Sequence, residues 1–341
     1  MKIGIIGASG YSGGELLRNL LNHPSYEISY IAAGSLAGES ITSVHPHLTY
    51  FAGEKFEETS VARMSECELL FFALPHGESH KYIQQLDDSI KIVDLGADYR
   101  LVDSAQWQKY YGGEHAGSWV YGMPELPEAR SKISGATRIA NPGCYATAIT
   151  LGIAPAVAGG FITADDITVV AASGVTGAGR SAKISLLGSE TMNSLTSYKF
   201  GGVHQHTPEI EQALNGASGA QTKISFTPIL APMPRGILAT ISAKLSPRSD
   251  YATIRAAYES TYGSEEFVTL LPEGELPRTS SLTGSNSVHI QLAVDEHTNR
   301  LIVSSALDNL GKGAATAAIQ NANIISGFPE STGISAVGVR S

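Results

Sequence analysis

Residues 2–14, Lys-Ile-Gly-Ile-Ile-Gly-Ala-Ser-Gly-Tyr-Ser-Gly-Gly, read as a buried strand that runs into a glycine-rich turn. Leucines at helical spacing predict a helix over residues 15–21 directly after the turn. Glycines at positions 7, 10 and 13 let the backbone approach a pyrophosphate, which rests on the helix N-terminus. This strand, turn and helix favour a dinucleotide site over a plain tight turn.

The second predicted strand, residues 26–33, bears on the choice of dinucleotide. NAD-specific sites place an acidic residue at the end of this strand, where it binds the ribose hydroxyls. Here Gly34 and Ser35 follow the strand, and the first carboxylate after the strand is that of Glu39. Because Ser35 leaves room for a 2′-phosphate, the sequence favours NADP, unless Gly34 and Ser35 only form the turn.

Further strands at 68–74, 90–95 and 138–140 alternate with helical segments, which predicts a Rossmann-like doubly wound parallel α/β sheet. Ligands bind at the carboxyl ends of such strands, where the turns at Gly7, Pro75, Asp98 and Cys144 fall. Arg100 is placed there to bind an anion, although an ion pair with Asp98 or with Asp103 explains it equally well.

The segment Asn141-Pro142-Gly143 breaks the chain between a short strand and a helix, so Cys144 lies near a helix start. The partial positive charge and unpaired N–H groups of a helix N-terminus favour the nucleophilic thiolate. The same N–H groups are suited to hold an oxyanion. The alternative is that Cys144 is a small core residue.

After Cys144, long strands with few helices predict a second α+β domain with a mixed or antiparallel sheet. Its loop from Ser173 to Ser181, with flexible glycines, hydroxyls and Arg180, suits a phosphate or carboxylate. The chain ends in a helix predicted to run to Phe328, and Asn309 at its start is expected to meet the cofactor.

Two histidine pairs stand out. His204 and His206 precede a helix for which Thr207 and Pro208 are the predicted N-cap and first residue, with Glu209 in its first turn. A histidine oriented by a carboxylate is a usual partner for a thiol nucleophile. A zinc pair is the alternative, although no third ligand is evident. By contrast, His45-Pro46-His47 predicts a loop with two exposed histidines.

The composition limits the partners. A formal net charge of −9 argues against nucleic acid or an anionic membrane as the main partner. Only two cysteines are present, Cys67 and Cys144, which is no disulfide framework and indicates a reducing compartment. We expect no signal peptide, no membrane span and no metal, and a cytoplasmic location.

Together these features resemble the N-acetyl-gamma-glutamyl-phosphate reductases, enzymes of arginine biosynthesis related to aspartate-semialdehyde dehydrogenase. The resemblance covers nearly the whole chain, and its Asn-Pro-Gly-Cys and His-x-His-Thr-Pro-Glu-Ile segments are the specific ones. The matching motifs are Gly7-Ala8-Ser9-Gly10-Tyr11-Ser12-Gly13, Val44-His45-Pro46-His47-Leu48, Asn141-Pro142-Gly143-Cys144-Tyr145-Ala146-Thr147, Gly174-Val175-Thr176-Gly177-Ala178-Gly179-Arg180 and His204-Gln205-His206-Thr207-Pro208-Glu209-Ile210.

The resemblance implies that Cys144 accepts the acyl group and that His204 is the acid/base, supported by Glu209, with His206 as the second choice. It implies an NADP-binding domain of residues 1–144, completed by a C-terminal helix within 307–341, and a catalytic and dimerisation domain of residues 145–306. NADP(H) is expected at Gly7, Ser9, Gly10, Tyr11, Ser12, Gly13, Ser35, Pro75, Gly177 and Asn309. Substrate is expected at Arg100, Asn141, Ser173, Arg180 and His206.

The implied reaction is the reversible, NADPH-dependent reduction of N-acetyl-gamma-glutamyl phosphate to the 5-semialdehyde through a Cys144 thioester. The implied assembly is a homo-oligomer, either a dimer or a tetramer. Three alternatives stay open at this point: the same chemistry on aspartyl phosphate, the same chemistry on a carrier-bound aminoadipyl phosphate, and a non-catalytic nucleotide-sensing protein.

Overall fold

The computed structural model describes residues 1–247 and 249–339. The strands are β1 (Lys2–Ile6), β2 (Glu27–Ala33), β3 (Glu57–Glu58), β4 (Leu69–Phe72), β5 (Lys91–Asp94), β6 (Val120–Tyr121), β7 (Arg138–Ala140), β8 (Ile162–Gly174), β9 (Thr196–Ser197), β10 (Ile224–Ala231), β11 (Ile237–Leu245), β12 (Val268–Leu270), β13 (Val288–Asp295) and β14 (Arg300–Leu307). The α-helices are α1 (Tyr11–Leu20), α2 (Ile41–Val44), α3 (Val61–Met64), α4 (Ser79–Ile83), α5 (Ser104–Tyr110), α6 (Ala129–Ser134), α7 (Cys144–Ala158), α8 (Gly188–Thr191), α9 (His206–Ser218), α10 (Tyr251–Tyr262) and α11 (Thr316–Ile325).

The first sheet confirms the predicted doubly wound arrangement. In the described residues its strand order is β3-β2-β1-β4-β5-β7-β6, and neighbouring strands pair in parallel. The central strands β1 and β4 are almost fully buried apolar runs, as expected for a sheet covered on both faces. Their carboxyl ends therefore share one edge of the sheet.

The second sheet is mixed, as predicted. Its order within the described residues is β12-β13-β14-β11-β8-β10-β9, with parallel pairing of β8 with β10 and antiparallel pairing of β11 with both β8 and β14. Helix α7 packs against β8, β11 and β14 and is buried over nearly its whole length. This burial suits a helix that is apolar all round.

Two helix starts differ from the prediction. Helix α1 begins at Tyr11 rather than residue 15, because Gly10 has the extended backbone of an N-cap and the following glycines adopt helical geometry. Helix α9 begins at His206 with Gln205 as its N-cap, so Thr207 and Pro208 lie inside the first turn. A proline is tolerated there because N–H groups of the first turn have no intrahelical partner.

The chain forms two compact units. The first contains Met1–Pro124, Glu128–Pro142 and Ala314–Ile334. The second contains Glu125–Pro127, Gly143–Gly313 and the segment that starts at Ser335. Residues 307–313, predicted in the first domain, thus belong to the second unit, where Asp308 pairs with Arg235. Residues 340 and 341 of the predicted 307–341 segment lie outside the described residues.

Helix α11 completes the core of the first unit, where its apolar side chains join those of α1 and the parallel sheet. It ends at Ile325 rather than at Phe328, because Gly327 turns the chain with a φ of 76°. None of the helices in residues 1–247 and 249–339 has the length and apolar character needed to cross a lipid bilayer.

Candidate active site

The glycine turn of the first unit, which we call the cradle, packs tightly against the chain's own backbone. Gly7 has a φ of +84°, and a Cβ atom there would lie 2.5 Å from the carbonyl oxygen of Ala73. A Cβ atom on Gly13 would lie 2.6 Å from the carbonyl oxygen of Gly7. Gly10 caps α1 without any side-chain hydrogen bond. The cradle therefore has the tight turn and the close helix packing of a dinucleotide motif, in which the pyrophosphate rests on the helix N-terminus.

Several residues predicted to bind the cofactor gather at this edge of the parallel sheet. Ser35 is exposed just after β2, and Pro75 is exposed just after β4. The residues of the turn that are partly accessible are Ser9, Gly10, Tyr11 and Ser12.

The prediction of two exposed histidines is wrong for His45. Only His47 is exposed, whereas His45 is 1% exposed. Its Nε2 donates to the carbonyl oxygen of Ala8 at 2.9 Å, and its ring lies against Gly14. His45 therefore supports the glycine turn from within the core.

Arg100 and Asn141 were predicted to bind substrate, but the structure buries both. Arg100 is 4% exposed and donates from Nε to the Asn141 carbonyl at 2.8 Å and from Nη2 to the Leu95 carbonyl at 2.7 Å. The Asn141 amide donates to the Ala314 carbonyl at 3.1 Å and accepts from Asn321 at 3.0 Å. These bonds make the two side chains braces of the loop that leads to Gly143.

In the second unit, Cys144 is the first residue of α7 and is half-buried. Gly143 is the N-cap and has no side-chain cap. A Cβ atom on Gly313 would lie 2.8 Å from the Cβ of Cys144, so a glycine is needed where the two segments meet. Cys144 thus stands at a helix N-terminus, a position whose partial positive charge favours a thiolate over a thiol.

The two histidines of the pair 204/206 have different environments. A Cβ atom on Gly143 would lie 2.4 Å from Nε2 of His206, so this ring sits beside the residue that precedes Cys144. His204 is buried, and its Nδ1 accepts the backbone N–H of His206 at 3.1 Å. Burial, with contributions from His206 and Lys199, lowers the pKa of His204 to about 2. His204 is therefore a neutral imidazole.

Glu209 was predicted to support a histidine side chain. It is fully buried, and its Oε1 accepts the backbone N–H of Gly143 at 2.7 Å. Because Gly143 is the N-cap of α7 and Glu209 lies in the first turn of α9, this bond ties the two helices together beside Cys144.

Sequence reasoning missed two tyrosines of this cluster. The Tyr198 hydroxyl donates to the Tyr145 hydroxyl at 3.2 Å, and both rings lie edge-on to His204, 5.7 and 5.4 Å away between centroids. Burial raises the pKa of both phenols, which keeps them neutral. Tyr145 directly follows Cys144, and this adjacency was the available signal.

A second group in this unit joins Ser173, Gly177 and Asn309 of the predicted site. The Asn309 amide accepts from the Gly236 N–H at 2.7 Å and donates to Thr176 Oγ1 at 3.0 Å. A Cβ atom on Gly177 would lie 3.2 Å from Ser173 Oγ and 3.7 Å from Asn309 Nδ2. Asn309 thus holds the 173–177 loop in place.

Cations near this group include one that the sequence did not single out. Arg180, which we expected to bind an anion, is exposed beyond the loop. Arg235, which was missed, makes two hydrogen bonds of 3.0 and 2.6 Å to the buried carboxylate of Asp308. Lys199 donates to Gln205 beside the histidines.

No group of three or more His, Cys, Asp or Glu residues within 1–247 and 249–339 is arranged to hold a metal ion.

Both units match family models. Residues 2–135 match the NAD-binding domain of semialdehyde dehydrogenases, and residues 144–309 match the semialdehyde dehydrogenase dimerisation domain.

Relatives of known name match nearly the whole chain. An N-acetyl-gamma-glutamyl-phosphate reductase of Acidothermus cellulolyticus is 54% identical over 99% of this chain and 98% of its own. The proteins of the same name from Frankia casuarinae and Mycobacterium avium are 50% and 49% identical, over 99% of this chain and 99% and 98% of theirs.

Solved structures with a similar fold include an aspartate semialdehyde dehydrogenase II of Vibrio cholerae complexed with ASA. It has a TM-score of 0.72 and 16% identity over 95% of this chain and 98% of its own. The aspartate semialdehyde dehydrogenase with NADP from Candida albicans has a TM-score of 0.70 and 17% identity, with the same shares covered.

Proposed function

Because the chain belongs to the N-acetyl-gamma-glutamyl-phosphate reductases, a family of semialdehyde dehydrogenases, we propose that it reduces N-acetyl-gamma-glutamyl phosphate reversibly to N-acetylglutamate 5-semialdehyde and phosphate, in arginine biosynthesis. The observation that carries this proposal is the position of Cys144 at the start of α7, with the His206 ring against the preceding residue. NADPH, when bound, supplies the hydride.

Residues of this chain account for the cofactor. The cradle at Gly7 and Gly13 and the uncapped start of α1 suit the pyrophosphate. Ser35 has the size and exposure to leave room for the 2′-phosphate, which favours NADP over NAD. Pro75, Gly177 and Asn309 complete the proposed contacts.

The Cys144 thiolate attacks the acyl carbon, the carbon–oxygen bond to phosphate breaks, and a thioester forms on the sulfur. N–H groups at the start of α7 stabilise the oxyanion of this step. Reduction turns the thioester into a thiohemiacetal, whose oxygen is protonated. The carbon–sulfur bond then breaks as that proton is withdrawn, and the aldehyde leaves with Cys144 restored.

We assign the proton transfers to His206, which the resemblance placed second. His204 is buried, neutral and committed through Nδ1 to the His206 backbone. Its role is then to hold His206. Arg180, Ser173 and Lys199 are the residues of the second unit that we assign to the substrate anions.

The dimerisation-domain match indicates a homo-oligomer. We propose that it assembles through the face of the second sheet opposite α7. On this face Val170 is 43% exposed and pairs with Thr240, an exposed and uncharged residue of the neighbouring strand. We also place the enzyme in the cytoplasm, since Cys144 acts as a reduced thiol.

The test is NADP⁺ reduction with N-acetylglutamate semialdehyde, with and without phosphate or arsenate. Strict dependence on the oxyanion is expected, because only the acyl-phosphate route uses it. A signal with aspartate semialdehyde alone would assign the chemistry to aspartyl phosphate. Silence with both aldehydes would favour the carrier-bound aminoadipyl substrate or a nucleotide-sensing role, and would overturn the proposal.

A further inference from the structure

The turn that follows β4 lies beside the glycine turn of the first unit. The Ala73 N–H donates to the Ile6 carbonyl at 2.7 Å, and the Ala73 carbonyl closes on Gly7. A movement of residues 73–77 would therefore displace the backbone around Gly7, in the glycine turn proposed to hold the pyrophosphate.

Asp98 holds this turn from the next loop of the sheet. Its Oδ1 accepts the Gly77 N–H at 2.6 Å, and its Oδ2 accepts the His80 N–H at 3.2 Å. Nδ1 of the His80 ring also lies 3.2 Å from Oδ2. Gly77 has a φ of +81°, a conformation that other residues rarely adopt, so the turn is held in one specific shape.

A second buried carboxylate grips the same segment. Oδ1 of Asp94, at the end of β5, accepts hydrogen bonds from the Ser79 hydroxyl at 3.0 Å and from the Gly96 N–H at 2.9 Å. Both Asp94 and Asp98 are fully buried. Two neighbouring buried acids are costly for stability, so their presence calls for another reason.

We propose that Asp98 is a positioning residue for nucleotide binding, which fixes the turn of residues 75–80 in the shape that receives the dinucleotide beside Gly7. The inference rests on the proposed function, because the nucleotide is the one assigned there. Without Asp98 the turn samples other conformations, and binding has to order it. We expect weaker nucleotide binding and unchanged chemistry at Cys144.

The experiment compares Asp98→Ala and Asp98→Asn with Asp103→Asn. Asp103 is a matched control, because it is an exposed N-cap of α5 outside the turn. The Kd for NADPH is measured by fluorescence titration without substrate. Steady-state kinetics then give kcat and both KM values, and circular dichroism gives the melting temperature.

For Asp98→Ala we expect the Kd and KM for NADPH to rise about tenfold, with kcat and the KM for the acyl phosphate within about twofold. Asp98→Asn keeps one acceptor, so its effect is intermediate, and Asp103→Asn matches the wild type. A merely structural role predicts loss of melting temperature and of kcat without this split, and that result would overturn the proposal.

His80→Ala covers the case in which Asp98→Ala does not fold, because it removes only the ring contact. We expect it to raise the Kd for NADPH about two- to fourfold. An unchanged Kd in this variant would contradict the proposal. If the wild type binds NADPH but turns over no acyl phosphate, the proposed function fails while the binding data still decide the role of Asp98.

Discussion

The backbone N–H of Gly143 donates a 2.7 Å hydrogen bond to Oε1 of Glu209, a fully buried carboxylate. Glu209→Ala leaves this buried N–H unpaired and costs about 1–3 kcal/mol of folding free energy. Because Gly143 precedes Cys144, the proposed nucleophile, we also expect kcat to fall about 10²-fold. Glu209→Gln keeps an acceptor, and near-wild-type kcat is expected from it. Equal losses in both variants would show that the charge, rather than the hydrogen bond, matters.

The two cysteines are expected to behave differently. Cys144 is half-buried at a helix start, whereas burial raises the pKa of the Cys67 thiol. Iodoacetamide near neutral pH should alkylate Cys144 much faster than Cys67, as followed by peptide mass spectrometry.

Cys144→Ser should lower turnover by at least about 10³-fold while NADPH still binds. Cys67→Ser serves as the control and keeps its activity; normal turnover in Cys144→Ser would exclude the thioester.

Much of the fold was predictable because its signals are local. The strand and turn around Gly7 and the start of α7 at Cys144 follow from apolar periodicity and chain-breaking residues. Strands of two residues, such as β3 (Glu57–Glu58), were missed because they are too short to show the alternation of apolar and polar residues that indicates a strand. The start of α9 was misplaced by two residues, since Gln205 is not a typical cap.

The site was less predictable because burial depends on distant residues. Arg100 looked like an anion ligand, but two of its hydrogen bonds go to main-chain carbonyls that only the fold brings near. His45 looked exposed, but it fills the space over Gly14. The resemblance ranked His204 ahead of His206 as the acid/base. Only the fold shows that His204 is buried against Tyr145, whereas His206 lies beside Gly143.

His204 should make the protein less stable in acid. Its pKa is about 2 in the fold and 6.5 as the ordinary value, so the unfolded chain binds more protons between these limits. His204 therefore has no effect on the free energy of unfolding above pH 6.5. As the pH falls below 6.5, it lowers the free energy of unfolding by roughly 1.4 kcal/mol per pH unit. His204→Asn keeps an acceptor for the His206 N–H, and its urea-unfolding free energy should fall less between about pH 7 and pH 5. Identical slopes in the two proteins would contradict this account.

Asp94 should act in the opposite direction. Burial and the neighbouring Asp98 raise its pKa to about 7 from 3.8, so the fold binds more protons than the unfolded chain between these values. Stability is lost as the pH rises through this window. Asp94→Asn removes the buried charge, and we expect it to stabilise the protein by about 1–3 kcal/mol near pH 8 but not near pH 4. The measurement is urea unfolding at both pH values, and a pH-independent difference would rule out titration of Asp94.

Val170 provides the test of the assembly surface. Its side chain is exposed on the face of the second sheet opposite α7. Val170→Asp would bury a carboxylate in the interface, so we expect the oligomer to dissociate to monomers in size-exclusion chromatography with light scattering. Val102→Asp, which changes another exposed valine in the first unit, is the matched control and should leave the mass unchanged. An intact oligomer in Val170→Asp would place the interface elsewhere on the second unit.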